Sequence, residues 1–215
     1  MTQAANSADG RSLLLCGVVA GPIYVAVTLI QAFTREGFDI TQHRFTQLTA
    51  GEFGWVHQTN MILVGLFTLF GAVGMRRVLA PGRSMFGGPI WVALLGIAYA
   101  FGGLLTANPV VDMPPGTTVE MVQSTFEGQI QNASRGISTL FLIIASLARS
   151  FGFFQTGERR WALITATLIP ISFAALTVLG YLLGGNPVAL AFLATPWIWL
   201  TTVTSRLFVT QTRTS

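Results

Sequence analysis

The chain has 215 residues, of which 52% are hydrophobic and only 9% charged, with a formal charge of +4. Soluble domains carry about 25% charged residues, so water is not the main solvent of this chain. All twelve basic residues are arginines, and they are spread between apolar stretches without forming a basic patch, which argues against a nucleic-acid partner. The absence of lysine removes a P-loop and any Schiff-base chemistry, and a single cysteine, Cys16, removes an intrachain disulfide and a thiolate metal cluster.

A helix needs about 20 predominantly apolar residues to cross a hydrocarbon core. Six stretches qualify in chain order: Ser12 to Phe33, Gly54 to Met75, Phe86 to Thr106, Ile130 to Phe154, Trp161 to Leu183 and Pro187 to Phe208. The first is too long for a signal peptide and lacks a small-residue cleavage site, so it is read as a helix. The expected fold is all-α, a polytopic bundle over residues 12–209 between short tails at 1–11 and 210–215. Positively charged loops stay in the cytoplasm. Arg76, Arg77 and Arg83 mark one such loop, Arg159 and Arg160 a second, and Arg11, Arg206 and Arg213 the chain ends. Both termini are then expected on the cytoplasmic side of a bacterial inner membrane.

The connections 34–53 and 107–129 face outward on this reading, and each carries more than a loop requires. The first gathers Arg35, Glu36, Asp39, His43, Arg44 and Glu52. The second holds Asn108-Pro109, Asp112, Pro114-Pro115-Gly116 and Thr117 three residues before Glu120, a spacing that fits a capping box opening a short helix. Asp39 and His43, four apart, fit either a base with its orienter or a helix cap with a surface contact.

The fourth stretch opens with Glu127, Gln131, Ser134 and Ser138 at spacings that share one helical face, with Asn132, Arg135 and Thr139 alongside. Polar groups at membrane depth are costly and usually face a bundle interior, although Glu127 and Arg135 are also near enough to the boundary to anchor the helix at the headgroups. Trp55, His57, Gln58, Thr59 and Asn60 open the second stretch at the same end; Trp55 also fits an interfacial anchor. One outward polar cavity is the simplest inference. Two histidines, His43 and His57, without a supporting pattern do not define a haem site. No metal or other cofactor is implied.

Gly17-x-x-x-Gly21 and Gly180-x-x-x-Gly184 permit close helix contact, within the chain rather than between copies. Pro22, Pro170 and Pro196 lie inside spans, and Trp197, Trp199 and Tyr181 fit either the interior or the interfacial belt.

The run GFDITQHRFTQL, followed by GWVHQTNMILVGLF, GMRRVLAPG, GGLLTANPVVDMPPGT and FEGQIQNASRGISTLF, resembles the DUF998 family of bacterial integral membrane proteins over about residues 15–180. The resemblance implies a six-helix membrane fold and no family-wide activity. Where the family shows a histidine early in the fourth span, this chain has Gln131, so an acid–base or metal role resting on that histidine does not carry over; Glu127 is the acid offered nearby.

Two functions remain. One is a membrane-embedded enzyme that acts on a lipophilic small molecule by carboxylate general acid–base catalysis, of a cyclisation, isomerisation or hydration type. Its catalytic candidates are Glu127, Asp39 and Asp112, and its substrate-binding candidates Arg135, Gln131, His43, Trp55, Gln58, Asn60 and Asn108. The other is a non-catalytic protein whose cavity binds, senses or helps transport a lipid or hydrophobic metabolite. Membrane lipid and a hydrophobic ligand are the expected partners in both, and the sequence leaves the oligomeric state open.

Overall fold

The computed structural model describes residues 2–79, 88–183 and 189–214. Six helices dominate it: α1 Thr2–Thr34, α2 Gly54–Val78, α3 Pro89–Gly103, α4 Phe126–Gln155, α5 Arg159–Leu183 and α6 Ala189–Thr214. Among the described residues there is no strand, only an isolated bridge between Val110 and Met113. The all-α expectation holds. Three segments, Gly10–Thr34, Gly54–Val78 and Phe126–Gln155, are long and apolar enough to cross a membrane, and Pro89–Gly103 is a shorter apolar helix. Large apolar side chains also point outward along the helices, with Phe33, Leu163, Ile171 and Ile198 all exposed. A bundle coated in this way is a membrane protein, because no water-facing surface of this size stays apolar.

Helix ends depart from the predicted spans for identifiable reasons. α1 begins ten residues before Ser12, because main-chain hydrogen bonding does not need the apolar side chains by which a span is recognised. α3 is shorter than predicted: Pro89 sits in its first turn, where a missing N–H loses nothing, and the helix ends at Gly102-Gly103. α4 starts at Phe126, four residues before the predicted Ile130, because the Thr125 hydroxyl caps it by accepting from Gly128 N at 3.0 Å.

Each helix packs on the next in chain order and α6 returns to α1, so the bundle closes into a ring. Among the described residues the α5–α6 seam is the slightest of these contacts. Backbones touch at other seams of the ring. A Cβ on Gly65 of α2 would meet Gly96 O of α3 at 2.6 Å, and one on Gly21 of α1 would meet Trp197 O of α6 at 2.9 Å. The Gly17/Gly21 spacing therefore serves packing within the chain, as expected. Gly180 and Gly184 lie outside the residues whose side-chain surroundings are described, as does Tyr181. Trp197 and Trp199 are both buried in the interior.

At the α4 C-terminal end the arginines are matched by aromatic faces. The Arg149 guanidinium lies 4.4 Å from the Phe153 ring centroid and the Arg206 guanidinium 4.3 Å from that of Trp161, while Arg206 also pairs with Glu158. Arg83 falls outside the described residues.

Candidate functional site

Inside the ring lies a half-open chamber of about 570 Å³, a size typical of small-molecule sites. Tyr24 from α1, Tyr99 from α3 and Trp197 from α6 meet at its wall. Tyr24 and Tyr99 pack edge to face at 5.3 Å, Tyr99 and Trp197 likewise at 5.0 Å, and Tyr24 and Trp197 lie 4.8 Å apart. Phe173 of α5 and Phe192 of α6 line it across the loose seam, their rings 5.5 Å apart. The remaining lining is divided between apolar side chains, chiefly leucines, and the glycine, hydroxyl, amide and arginine residues contributed largely by α4. Among the described residues no acidic side chain reaches the wall. Two guanidinium groups do, those of Arg44 and Arg135, both on exposed residues.

The 34–53 and 107–129 connections form a laced cap over one end of the ring. Thr49, 2% exposed, is its hub. The Thr49 hydroxyl accepts from Ala107 N at 2.9 Å and from Gln131 Nε2 at 3.1 Å, and donates to Thr46 O at 2.8 Å. Gln131 Nε2 also donates to Leu105 O at 3.0 Å, so this chamber-lining amide ties α4 to both connections. Arg35 donates to Leu48 O at 3.2 Å and to Ala50 O, and burial lowers its pKa from the ordinary guanidinium value. The chain must turn sharply where the two connections meet: Gly37 has φ +78°, and a Cβ there would strike Asp112 O at 2.3 Å.

The candidate residues divide when placed on this frame. Arg135 and Gln131 line the chamber. His43 does not; its Nε2 donates to Val111 O at 3.1 Å and its Nδ1 accepts from Asp39 N at 3.0 Å, which joins one connection to the other and fixes the tautomer. The Asp39 carboxylate instead accepts from the Thr41 hydroxyl and the Thr41 N, both at 2.7 Å. Those two bonds, the hydroxyl's first, hold its pKa below the usual carboxylate value. Asp39 and His43 thus touch through the backbone, as a turn and a clamp, and not as a carboxylate orienting an imidazole. Asp112 is exposed, has φ 62°, and donates its N to Thr117 O at 3.0 Å.

Glu127 caps rather than faces the chamber: its Oε1 accepts from Thr106 N at 2.6 Å. Asn108 Oδ1 accepts from Thr125 N and the Thr125 hydroxyl at 2.8 and 3.0 Å, binding the second connection to the start of α4. The capping box expected from Thr117 and Glu120 does not form. The Thr117 hydroxyl donates to Pro114 O at 2.7 Å instead, and only a 3₁₀ turn, Val119–Met121, follows. Gln58 Nε2 donates to Thr106 Oγ1 at 3.3 Å, and Trp55 is exposed. Asn60 points to α1, donating to Tyr24 O at 3.3 Å and Thr28 Oγ1 at 3.4 Å.

The polar face of α4 is real, and its hydroxyls are spoken for by main chain. Ser134 donates to Ala98 O of α3 at 2.9 Å and Ser138 to Ser134 O at 2.8 Å. His57 is fully buried with neither ring nitrogen hydrogen-bonded, its ring 5.8 Å from that of Tyr24. Among the described residues no group of three metal-ligating side chains occurs. Sequence reasoning missed Arg44, Tyr24, Tyr99 and Thr49 as site residues, since they come from the first connection, α1 and α3, and no spacing links those three elements.

A helical membrane bundle enclosing a largely apolar chamber, with a hydrogen-bonded cap and an arginine pair at the mouth, is the class of protein that fold and site define. The chain belongs to the family described as Protein of unknown function (DUF998), whose model matches residues 18–206. That match runs beyond the span of the sequence motifs and takes in most of α6. No curated protein and no solved structure matches the chain.

Proposed function

We propose that this protein is a six-span protein of a bacterial inner membrane, with both termini in the cytoplasm, whose chamber binds a lipophilic small molecule. The observation that supports this best is the chamber itself: about 570 Å³ of mainly apolar space held inside a closed ring of helices. Lipid tails and apolar metabolites partition into such a space, while the few polar groups at one end set their orientation. The α5–α6 seam, closed by the Phe173–Phe192 ring contact, offers a lateral way in from the bilayer. Arginines at the α4 C-terminal end and carboxylates in the two caps agree with the proposed orientation.

Of the two functions, binding is favoured over carboxylate catalysis because none of Glu127, Asp39 and Asp112 lines the chamber. General acid–base chemistry needs the carboxyl within hydrogen-bond reach of the reacting atom. Each of these three groups stands in the cap, where the hydrogen bonds that Glu127 and Asp39 accept are accounted for by turns and helix ends.

Gly136 supplies the test. It lines the chamber, and a Cβ there meets nothing within 4 Å, so Gly136→Trp sets a large side chain at the wall with no close neighbour at its Cβ and is expected to obstruct the space. Organic extracts of the detergent-purified wild type and of Gly136→Trp, matched for a monodisperse elution profile, are compared by mass spectrometry. A lipophilic molecule enriched with wild type and absent from the variant is the expected result. Equal content in both extracts overturns the proposal.

A further inference from the structure

The chamber mouth carries two positive charges with no counter-charge. Arg44 comes from the first cap and Arg135 from α4; both line the chamber, and their like charges repel. Among the described residues neither forms an ion pair; the pair found there is Arg206 with Glu158, at the far end of α4. Arg135 stands about 13 Å along α4 from its first residue, within a helix apolar enough to span a membrane. A charge in such a segment normally faces a partner or a wet cavity and marks a functional pathway.

The surroundings decide the sign and the shape of what fits. Among the described residues no acid lines the chamber, so a cation is repelled, and a neutral ligand leaves the arginine pair as it is. One turn further along α4 the wall still carries Ser138 and Thr139, and beyond them it is hydrophobic, through Leu142, Phe173, Leu176, Phe192 and Leu193. Arginine forks match carboxylate and phosphate oxygens, and two forks meet one such group from two sides.

Resting on the ligand-binding reading, we infer that the ligand is an anionic amphiphile, with a carboxylate or phosphate headgroup held between Arg44 and Arg135 and an alkyl tail lying in the apolar chamber toward the α5–α6 seam.

The test uses protein in nanodiscs of neutral lipid and two probes, cis-parinaric acid and its methyl ester, at a pH where the acid is ionised. Their polyene fluorescence reports binding, and they differ only in headgroup charge. Wild type is expected to bind the acid about tenfold more tightly than the ester, the size of effect that one charge-assisted hydrogen bond supplies. Arg44→Gln and Arg135→Gln should each lose that preference while keeping the ester affinity. Arg135→Lys should keep part of it, since the charge remains and the fork is lost.

Equal affinity of wild type for acid and ester overturns the anionic headgroup and leaves the chamber as a neutral lipophile site. Failure of both probes to bind, or binding that Gly136→Trp does not reduce, overturns the chamber reading and this inference with it. Inorganic phosphate is the third arm: displacement of the acid by millimolar phosphate, without loss of the ester, would assign the arginine pair to a free anion and not to an amphiphile.

Discussion

The two ends of α4 hold arginine in opposite ways. At its C-terminal end Arg149 lies over Phe153, and Arg206 is shared between Trp161 and Glu158. At its N-terminal end Arg35 is taken up by main-chain carbonyls, whereas Arg44 and Arg135 line the chamber and, among the described residues, form no ion pair. Residue type is the same; the company it keeps is not. An arginine already stacked and paired contributes to the fold, and its removal is felt as lost stability. An arginine held beside another arginine contributes little to the fold, and its removal is felt only by what binds.

The largest effect that tests this contrast lies in the cap that holds Arg44 in place. Thr49→Val leaves the Ala107 N–H and the Gln131 amide short of an acceptor at a buried position. Each such loss costs about 1–3 kcal/mol, so a drop of about 2–4 kcal/mol is expected, read as a lowered thermal midpoint in detergent, with Thr49→Ser restoring most of it. A midpoint unchanged by Thr49→Val would show that the cap is not held through this hub.

Next comes Arg206→Ala, which removes a partly exposed ion pair and a stacked aromatic face together. Each is worth up to about 1 kcal/mol at such a site, so about 1 kcal/mol of stability should be lost, with parinaric acid affinity unaffected. Arg135→Gln should show the reverse pattern: stability equal to or slightly above wild type, because repulsion with Arg44 is relieved, and weakened acid binding. If Arg135→Gln instead destabilises the protein as much as Arg206→Ala, the contrast between the two ends fails.

Smaller still is Glu127→Gln. The amide oxygen can accept from Thr106 N in place of the carboxylate, so stability should fall by well under about 1 kcal/mol and ligand content should not change. Loss of a product-forming activity in this variant, with the fold intact, would restore the carboxylate to a catalytic role. The smallest effect belongs to Asp39. Its pKa is held below the usual value by Thr41, so its contribution is present above the unfolded-state pKa and is lost as pH falls through the folded one. Wild type and Asp39→Asn should therefore differ in thermal midpoint at neutral pH and converge in acid, below the ordinary carboxylate value of 3.8.

Much of the helical architecture was legible in the sequence, because apolar runs of spanning length have few alternatives in lipid. Gln131 and Arg135 were also legible as chamber residues, since one helical face can be read from spacing alone. The carboxylates were singled out because polar side chains in an apolar chain attract notice; the reason for Glu127 and Asp39 is local, a helix end and a turn whose N–H groups need acceptors. Spacing also suggested a capping box at Thr117, which lost to a nearer acceptor, Pro114 O.

What the sequence determined by itself is the solvent of this protein, its helical class, the family and the inward face of α4, all of which follow from local periodicity and composition. Only the tertiary structure decided which polar groups are occupied and which are left open. Thr49 and Arg44 of the first connection, Tyr24 of α1, Tyr99 of α3 and Trp197 of α6 converge once the ring closes. Closure is fixed by backbone contact at glycines such as Gly21 and Gly65, and no spacing along the chain records where it brings distant side chains together.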